Sequence, residues 1–285
     1  MSARLSHRLQ DAAARALIGA LRRVPYARRV ALGGWIFARL VAPLAGWRRR
    51  IRANLAHAWP DLPPAEVHRL CRAVPDNMGR TLIEMYSGAA FVARATARPP
   101  EGPGLAAAAA ARAEGRAIVF VSGHFGNYDA GRAAFIALGY PIGALYRPMK
   151  NEGFNAHYVA AMKSVGDMVF PRGRDGLGRM LRHLREGGAL AILIDQHMAA
   201  GAPLTFFGRT ARTALSAAEM ALRHDAPVIP VYAVREADGL SFRIVAEAPV
   251  PPGTPEAMTQ ALNDSLEAMV RRHPEQWFWV HRRWK

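Results

Sequence analysis

His124 and Asp129 are the residues best placed by type and spacing to do chemistry in this chain. They lie in the turn Gly123-His124-Phe125-Gly126-Asn127-Tyr128-Asp129, directly after the apolar run Ala117-Ile118-Val119-Phe120-Val121. An imidazole exchanges protons near neutral pH, and a carboxylate on its second nitrogen fixes the tautomer and stabilises the imidazolium. Asp129 follows His124 by five residues and falls in the first turn of a helix expected over residues 128–138, so the spacing predicts an oriented general base. Gly123 and Gly126 permit close backbone approach, and free N–H groups at this helix start, at Gly126 and Asn127, would hold an oxyanion or a phosphate.

Spacing alone says little, because ten histidines and 22 acidic residues yield about one His-x-x-x-x-Asp match by chance. Its place at the end of an apolar strand gives it weight, against the competing account of a core histidine near a helix-start Asp. A serine hydrolase is excluded because Ser122 lacks the flanking glycines of a nucleophile elbow. No His-rich partner motif accompanies His124, and His197 beside Asp195 is one His with one acid, too few for a metal centre. Cys71, the single cysteine, excludes internal disulfides and cysteine-rich zinc sites, and within Arg69-Leu70-Cys71-Arg72 it reads as a small buried hydrophobe.

Three apolar runs, residues 117–121, 142–146 and 190–194, have the continuous hydrophobicity of strands buried on both faces. The expected fold is therefore α/β, with a mixed, largely parallel central sheet flanked by helices. Ligand crevices open at the carboxyl ends of such strands. Arg147 ends the second run, and Asp195 with Gln196 ends the third, so both are expected in the crevice of His124. Asp195 would organise Arg147 or an arginine of the following loop, against the simpler role of a strand-end turn residue. Arg209 and Arg212, beside glycine in a polar loop, are candidate phosphate contacts, against ordinary solvated charges. Residues 151–165 read as a packed amphipathic helix, and Gly173-Arg174-Asp175-Gly176 opens another.

Upstream, leucines and an alanine four apart over residues 5–21, with arginines around the axis, predict an amphipathic helix. Residues 30–47 are apolar apart from Arg39 and end at Arg48-Arg49-Arg50, with Trp35 and Trp47 placed as interfacial aromatics. Arg39 and Pro43 argue against a full span and for a monotopic anchor or shallow hairpin, the competing account being helices packed on the domain. A long helix follows over residues 64–92, which Pro75 would kink or split. The Pro-Gly segment 99–104 then divides an N-terminal membrane-associated region, 1–98, from a catalytic domain, 99–285.

With 38 Lys+Arg against 22 Asp+Glu, the net charge of +16 calls for an anionic partner: nucleic acid, acidic lipid or an acidic carrier protein. The cations are scattered over helix faces rather than gathered on a recognition helix, which argues against the alternative of a non-enzymatic basic protein that binds membranes or nucleic acid. The C-terminal stretch 277–285 is rich in aromatic and basic residues and contains one strand-like core segment.

The His124–Asp129 segment resembles the His-x-x-x-x-Asp/Glu block of the lysophospholipid acyltransferase superfamily, in its lipid A lauroyl/myristoyl branch. Tyr146-Arg147-Pro148-Met149-Lys150-Asn151, Ile194-Asp195-Gln196 and Phe206-Phe207-Gly208-Arg209-Thr210-Ala211-Arg212-Thr213 are similar to its later blocks. So are Ala226-Pro227-Val228-Ile229-Pro230-Val231, the terminus from His273 to Lys285, and Arg52-Ala53-Asn54-Leu55. The resemblance implies transfer of a fatty acyl group from acyl-acyl carrier protein, without metal or cofactor. The implied acceptor is a primary acyl chain of a Kdo-bearing lipid A precursor, at the cytoplasmic face of the inner membrane. Arg147 would then meet a phosphate of the acceptor or of the donor's phosphopantetheine, or the reaction's oxyanion. The alternative is another acceptor within the superfamily, such as a mannosylated phosphatidylinositol, another glycolipid or a lysophospholipid, with the Asp195-Gln196 pair and the Trp-rich terminus favouring lipid A.

Overall fold

The computed structural model describes residues 3–285, with side chains described for Arg8 and from Asp11 onward. Helix α1 (Ala3–Arg22) is followed by α2 (Tyr26–Ile36), a π-helical turn at Phe37–Val41 and the short α3 (Ala42–Leu44). Gly46, in the left-handed region at φ 68°, lets α4 (Trp47–Ala58) leave at 88° to the preceding helical segment. The two segments form a right-angled corner, a geometry open to a broken span or a re-entrant loop by length and composition. Among the described residues no single helix is long and apolar enough to cross a membrane.

Pro64 begins α5 (Pro64–Met85) at the position where its missing N–H costs nothing. Pro75 is buried within α5 and does not divide it, and the helix stops at Met85, short of the expected residue 92. Helices α6 (Ala89–Ala95) and α7 (Gly104–Ala113) lead to β1 (Ile118–Ser122) and α8 (Tyr128–Ala137). Then come β2 (Ile142–Tyr146), α9 (Glu152–Lys163), β3 (Val169–Pro171), α10 (Arg174–Arg185) and β4 (Ala189–Leu193). The hairpin β5 (Ala202–Phe206) and β6 (Arg209–Thr213) precedes α11 (Ser216–Arg223), β7 (Val228–Arg235), β8 (Phe242–Ala246) and α12 (Pro255–Arg272).

Six strands form one sheet in the order β3-β2-β4-β1-β7-β8, parallel except for β8, so the sheet is mixed and largely parallel. Helix α8 packs with β7 and β8 on one face, through Phe135, Ala130 and Ile244, while α11 and α12 close the other with Leu262 and Met258. A third cluster gathers the aromatic C-terminus: Trp277 and Trp279 are fully buried against Phe206, Phe207 and Leu55 of α4. The strand-like segment expected there is a single antiparallel bridge, Phe125 to Trp277, because these indoles pack inward rather than alternate on a pleat. Trp47, expected at a membrane interface, turns inward onto Phe278 with ring centroids 5.4 Å apart. Trp35 stays 51% exposed.

Candidate functional site

Strands β1 and β4 are parallel neighbours in register, with Ser122 opposite Leu193. The residues two beyond each, His124 and Asp195, therefore emerge side by side at the carboxyl edge of the sheet. His124 Nδ1 and Asp195 Oδ1 are 2.7 Å apart, and the His124 backbone N–H donates to Asp195 Oδ2 at 2.8 Å. The indole of Trp277 donates to the same Oδ2 at 2.9 Å. A Cβ at position 123 would meet Leu266 of α12 at 2.8 Å and Asp195 at 3.3 Å, which is why the chain passes here as glycine. Complete burial pushes the Asp195 carboxyl up, but the charge and hydrogen bonds of His124, with His281 adding, hold it well below the usual carboxylate range. An ionised carboxylate on Nδ1 leaves His124 Nε2 as the basic nitrogen.

Asp129 does not take this part. Its carboxylate accepts from Arg132 Nε at 3.0 Å, one turn along α8, and Arg132 donates onward to Met162 O at 2.7 Å and Gly166 O at 3.2 Å. The side chain faces into the layer between α8 and α9, and both partners are buried. The expected His124–Asp129 bond is thus replaced by His124–Asp195, because helix α8 turns Asp129 away as soon as Asn127 caps it.

Gly126 and Asn127 likewise leave the crevice. Their N–H groups donate to Gln276 O at 2.8 Å and Ala233 O at 3.2 Å, so neither is free for an oxyanion. Gly126 has φ 56°, and a Cβ there would lie 1.8 Å from Ala233 O. Its carbonyl accepts from Asn77 Nδ2 at 3.1 Å and Thr81 Oγ1 at 3.0 Å, and Asn127 Nδ2 donates to Glu84 Oε2 at 2.7 Å. Glu84 is paired with Arg235, whose Nε also bonds Asn77 Oδ1 at 2.8 Å. This buried web from α5 and β7 clamps the turn that carries His124.

The crevice is lined by His124, Tyr128, Tyr146, Arg147, Tyr158, Arg172 and Gln196. Arg147 and Gln196 are therefore where the sequence expects them. Arg209 and Arg212 do not line it: Arg209 Nε bonds His57 O at 2.7 Å and Arg212 donates to Gly201 O at 3.0 Å, both fastening the β5–β6 hairpin. Their place is taken by Arg172. Strands β2 and β3 pair Tyr146 with Pro171, so Arg147 and Arg172 follow side by side, and among the described residues neither guanidinium has an acidic or hydrogen-bonding partner. Tyr128 and Tyr158 hold their hydroxyl protons: burial raises the pKa of Tyr128 well above 10, and burial with the Asp129 charge pushes Tyr158 to about 12. Below the crevice, an apolar recess bounded by Phe120, Phe135, Ile142, Ala144 and Val231 shares Tyr128, Leu145, Met162, Ile192 and Leu193 with it. The two spaces therefore adjoin.

A basic histidine set by a buried Asp, two unneutralised arginines and an adjoining apolar recess suit a lipid bearing phosphate. A model of the bacterial lipid A biosynthesis acyltransferases matches residues 6–285. The chain belongs to this family. A phosphatidylinositol mannoside acyltransferase of Mycobacterium tuberculosis (strain CDC 1551 / Oshkosh) is 25% identical over 245 residues, 84% of this chain and 78% of that one. A lipid A biosynthesis acyltransferase of Haemophilus influenzae is 24% identical over 240 residues, 82% and 74% of the two chains. The lipid A biosynthesis palmitoleoyltransferase of Escherichia coli (strain K12) is 28% identical over 182 residues, 61% and 58%.

Beside the base, His281 completes its surroundings. Its ring stands 4.6 Å from that of His124, centroid to centroid, and burial followed by the His124 charge lowers its pKa to about 4. It is neutral at physiological pH. Asn54 Nδ2 donates to the carbonyls of Trp279 and His281, each at 2.6 Å, and so seats the C-terminal loop over the base. The basic-aromatic terminus and the Arg-x-Asn-Leu stretch signalled these residues in the sequence, although no periodicity shows that they meet. Arg172 had no such signal, because β3 is three residues long.

Proposed function

We propose that this acyltransferase moves a fatty acyl group from acyl-acyl carrier protein to the hydroxyl of a primary acyl chain on a Kdo-bearing lipid A precursor. The bond between His124 Nδ1 and Asp195 carries the reading, since it makes Nε2 a base at the mouth of the crevice. In this proposal Asp195 replaces Asp129 as the orienting carboxylate. Nε2 takes the proton of the acceptor hydroxyl as its oxygen attacks the thioester carbonyl carbon. The resulting imidazolium is stabilised by Asp195. The tetrahedral oxyanion is met by the protonated Tyr158 hydroxyl, since the Gly126 and Asn127 N–H groups are spent and Arg147 is engaged with phosphate. Collapse breaks the C–S bond, and the carrier thiolate leaves with the proton from His124. The balance is one ester and one thiol, with no acyl-enzyme and no metal.

Arg147 and Arg172 grip a phosphate of either substrate, and the apolar recess receives an acyl chain. The enzyme works at the cytoplasmic face of the inner membrane, residues 1–98 meeting the membrane and residues 99–285 doing the chemistry. A second reading, acylation of a mannosylated phosphatidylinositol, is favoured by the Mycobacterium tuberculosis relative. The deciding assay supplies labelled acyl-acyl carrier protein with each acceptor in turn to the wild type and to His124→Ala. Label in the lipid A precursor, lost in a folded His124→Ala protein, is the expected result. Label only in the mannosylated lipid would replace the acceptor, and full activity of His124→Ala would remove the base.

A further inference from the structure

Away from the crevice, α2, α5 and the β7–β8 turn enclose a second groove that shares no lining residue with it. Trp35 and Arg39 come from α2 and its π-helical turn, His68 and Arg72 from α5, Glu236 and Gly239 from the strand turn. Each acid in the groove already has a cation. Asp76 is bonded by Arg80, Glu275 lies 3.4 Å from Arg69, and Glu236 lies 3.5 Å from Arg243. Among the described residues Arg39, Arg72 and His68 have neither a side-chain hydrogen bond nor an ion pair, and all three are exposed. Two guanidiniums thus face the groove without a counter-charge, a donor set suited to the oxygens of a phosphate.

The same helical segment carries exposed large apolar side chains: Trp35 at 51%, Leu32 at 40%, Leu40 at 50% and Leu44 at 88%. Leu32, Trp35 and Arg39 follow at helical spacing, so apolar bodies and the cationic head share one stripe. Aromatic and aliphatic side chains standing out beside unpaired arginines suit the boundary of an anionic bilayer, not bulk water.

We propose that this groove binds the phosphate of an anionic phospholipid headgroup, gripped by Arg39 and Arg72, while Trp35 and Leu44 rest in the apolar layer beneath. The proposal rests on the membrane-surface reading above and adds to it a defined lipid site, separate from the substrate crevice. Occupancy would fix which way the α2–α4 corner faces the membrane, and with it the crevice.

The test is co-sedimentation of the full-length protein with vesicles of phosphatidylcholine alone and with added phosphatidylglycerol. The variants are R39Q/R72Q and the control R179Q/R182Q, which removes two charges from α10 beside β3, at the opposite edge of the sheet from β8. At the usual contribution of a surface arginine, R39Q/R72Q weakens binding to phosphatidylglycerol vesicles about thirtyfold, and the control by much less. Acyl transfer in detergent is unchanged in both. If R39Q/R72Q binds no more weakly than the control, the lipid site is overturned and surface docking stands. If the wild type binds neither vesicle, docking and site fall together.

Discussion

Asp195 and Asp129 are both buried acids, but one bonds an imidazole at 2.7 Å and the other a guanidinium at 3.0 Å. Asp195→Asn keeps the shape and removes the charge that fixes the His124 tautomer, so kcat should fall by about three to four orders of magnitude, with a loss of stability beside it because the ionised carboxylate is the buried acceptor of His124 and Trp277. Asp129→Asn breaks a buried ion pair and leaves Arg132 unbalanced, so its main effect should be a loss of about 3–5 kcal/mol in stability, read by urea unfolding. Equal kcat losses in the two variants would remove the distinction. His281 adds a pH effect. Its folded pKa of about 4 lies below the ordinary 6.5, so between these values the unfolded chain takes up a proton that the native chain refuses. Stability from this group is complete above about pH 6.5, and ~3 kcal/mol is lost as the pH falls toward 4. Asp195 acts in the same direction at lower pH, since its folded pKa is depressed and its contribution vanishes as it is protonated. Urea midpoints at pH 7, 5.5 and 4.5 should show the slope in the wild type and a flatter one in a folded His281→Asn. Parallel slopes would assign the effect to another group.

At the level of the elements, parallel register decides which residues cooperate. The β2–β3 pairing sets Arg147 and Arg172 side by side, whereas Arg209 and Arg212 serve the β5–β6 hairpin. Arg147→Ala and Arg172→Ala should each raise KM for a phosphate-bearing substrate about tenfold, the value of one charge-assisted contact. The double variant should cost less than the product, because both hold one group. Arg209→Ala and Arg212→Ala should leave KM nearly unchanged and lower Tm slightly; steady-state kinetics on the four variants separates these roles. The existence of β1, β2, β4, α8 and α9 was legible as apolar runs and amphipathic spacing. Strand order was not, since nothing local tells β1 that β4, 67 residues on from Ser122 to Ala189, is its neighbour.

Across the whole molecule, a net charge of +16 surrounds a crevice whose proposed donor is a strongly acidic carrier protein. Such attraction speeds encounter and weakens with ionic strength. Raising salt from 50 to 300 mM should therefore lower kcat/KM for acyl-acyl carrier protein about tenfold or more, while an uncharged acyl thioester of short chain is affected far less. Equal salt dependence for the two donors would mean that the charge serves the membrane rather than the carrier.

The sequence by itself determined the fold class, the acyltransferase family and the histidine at the end of a buried strand. These follow from hydrophobic period, residue type and motif, all of them local. Only the tertiary structure decided that the partner of His124 is Asp195, that Asp129 belongs to Arg132, that Arg172 lines the crevice and that His281 packs against the base. The reason is geometric: parallel strands from distant parts of the chain set their carboxyl ends at one edge. A helix starting five residues after the histidine rotates its own acid away from it.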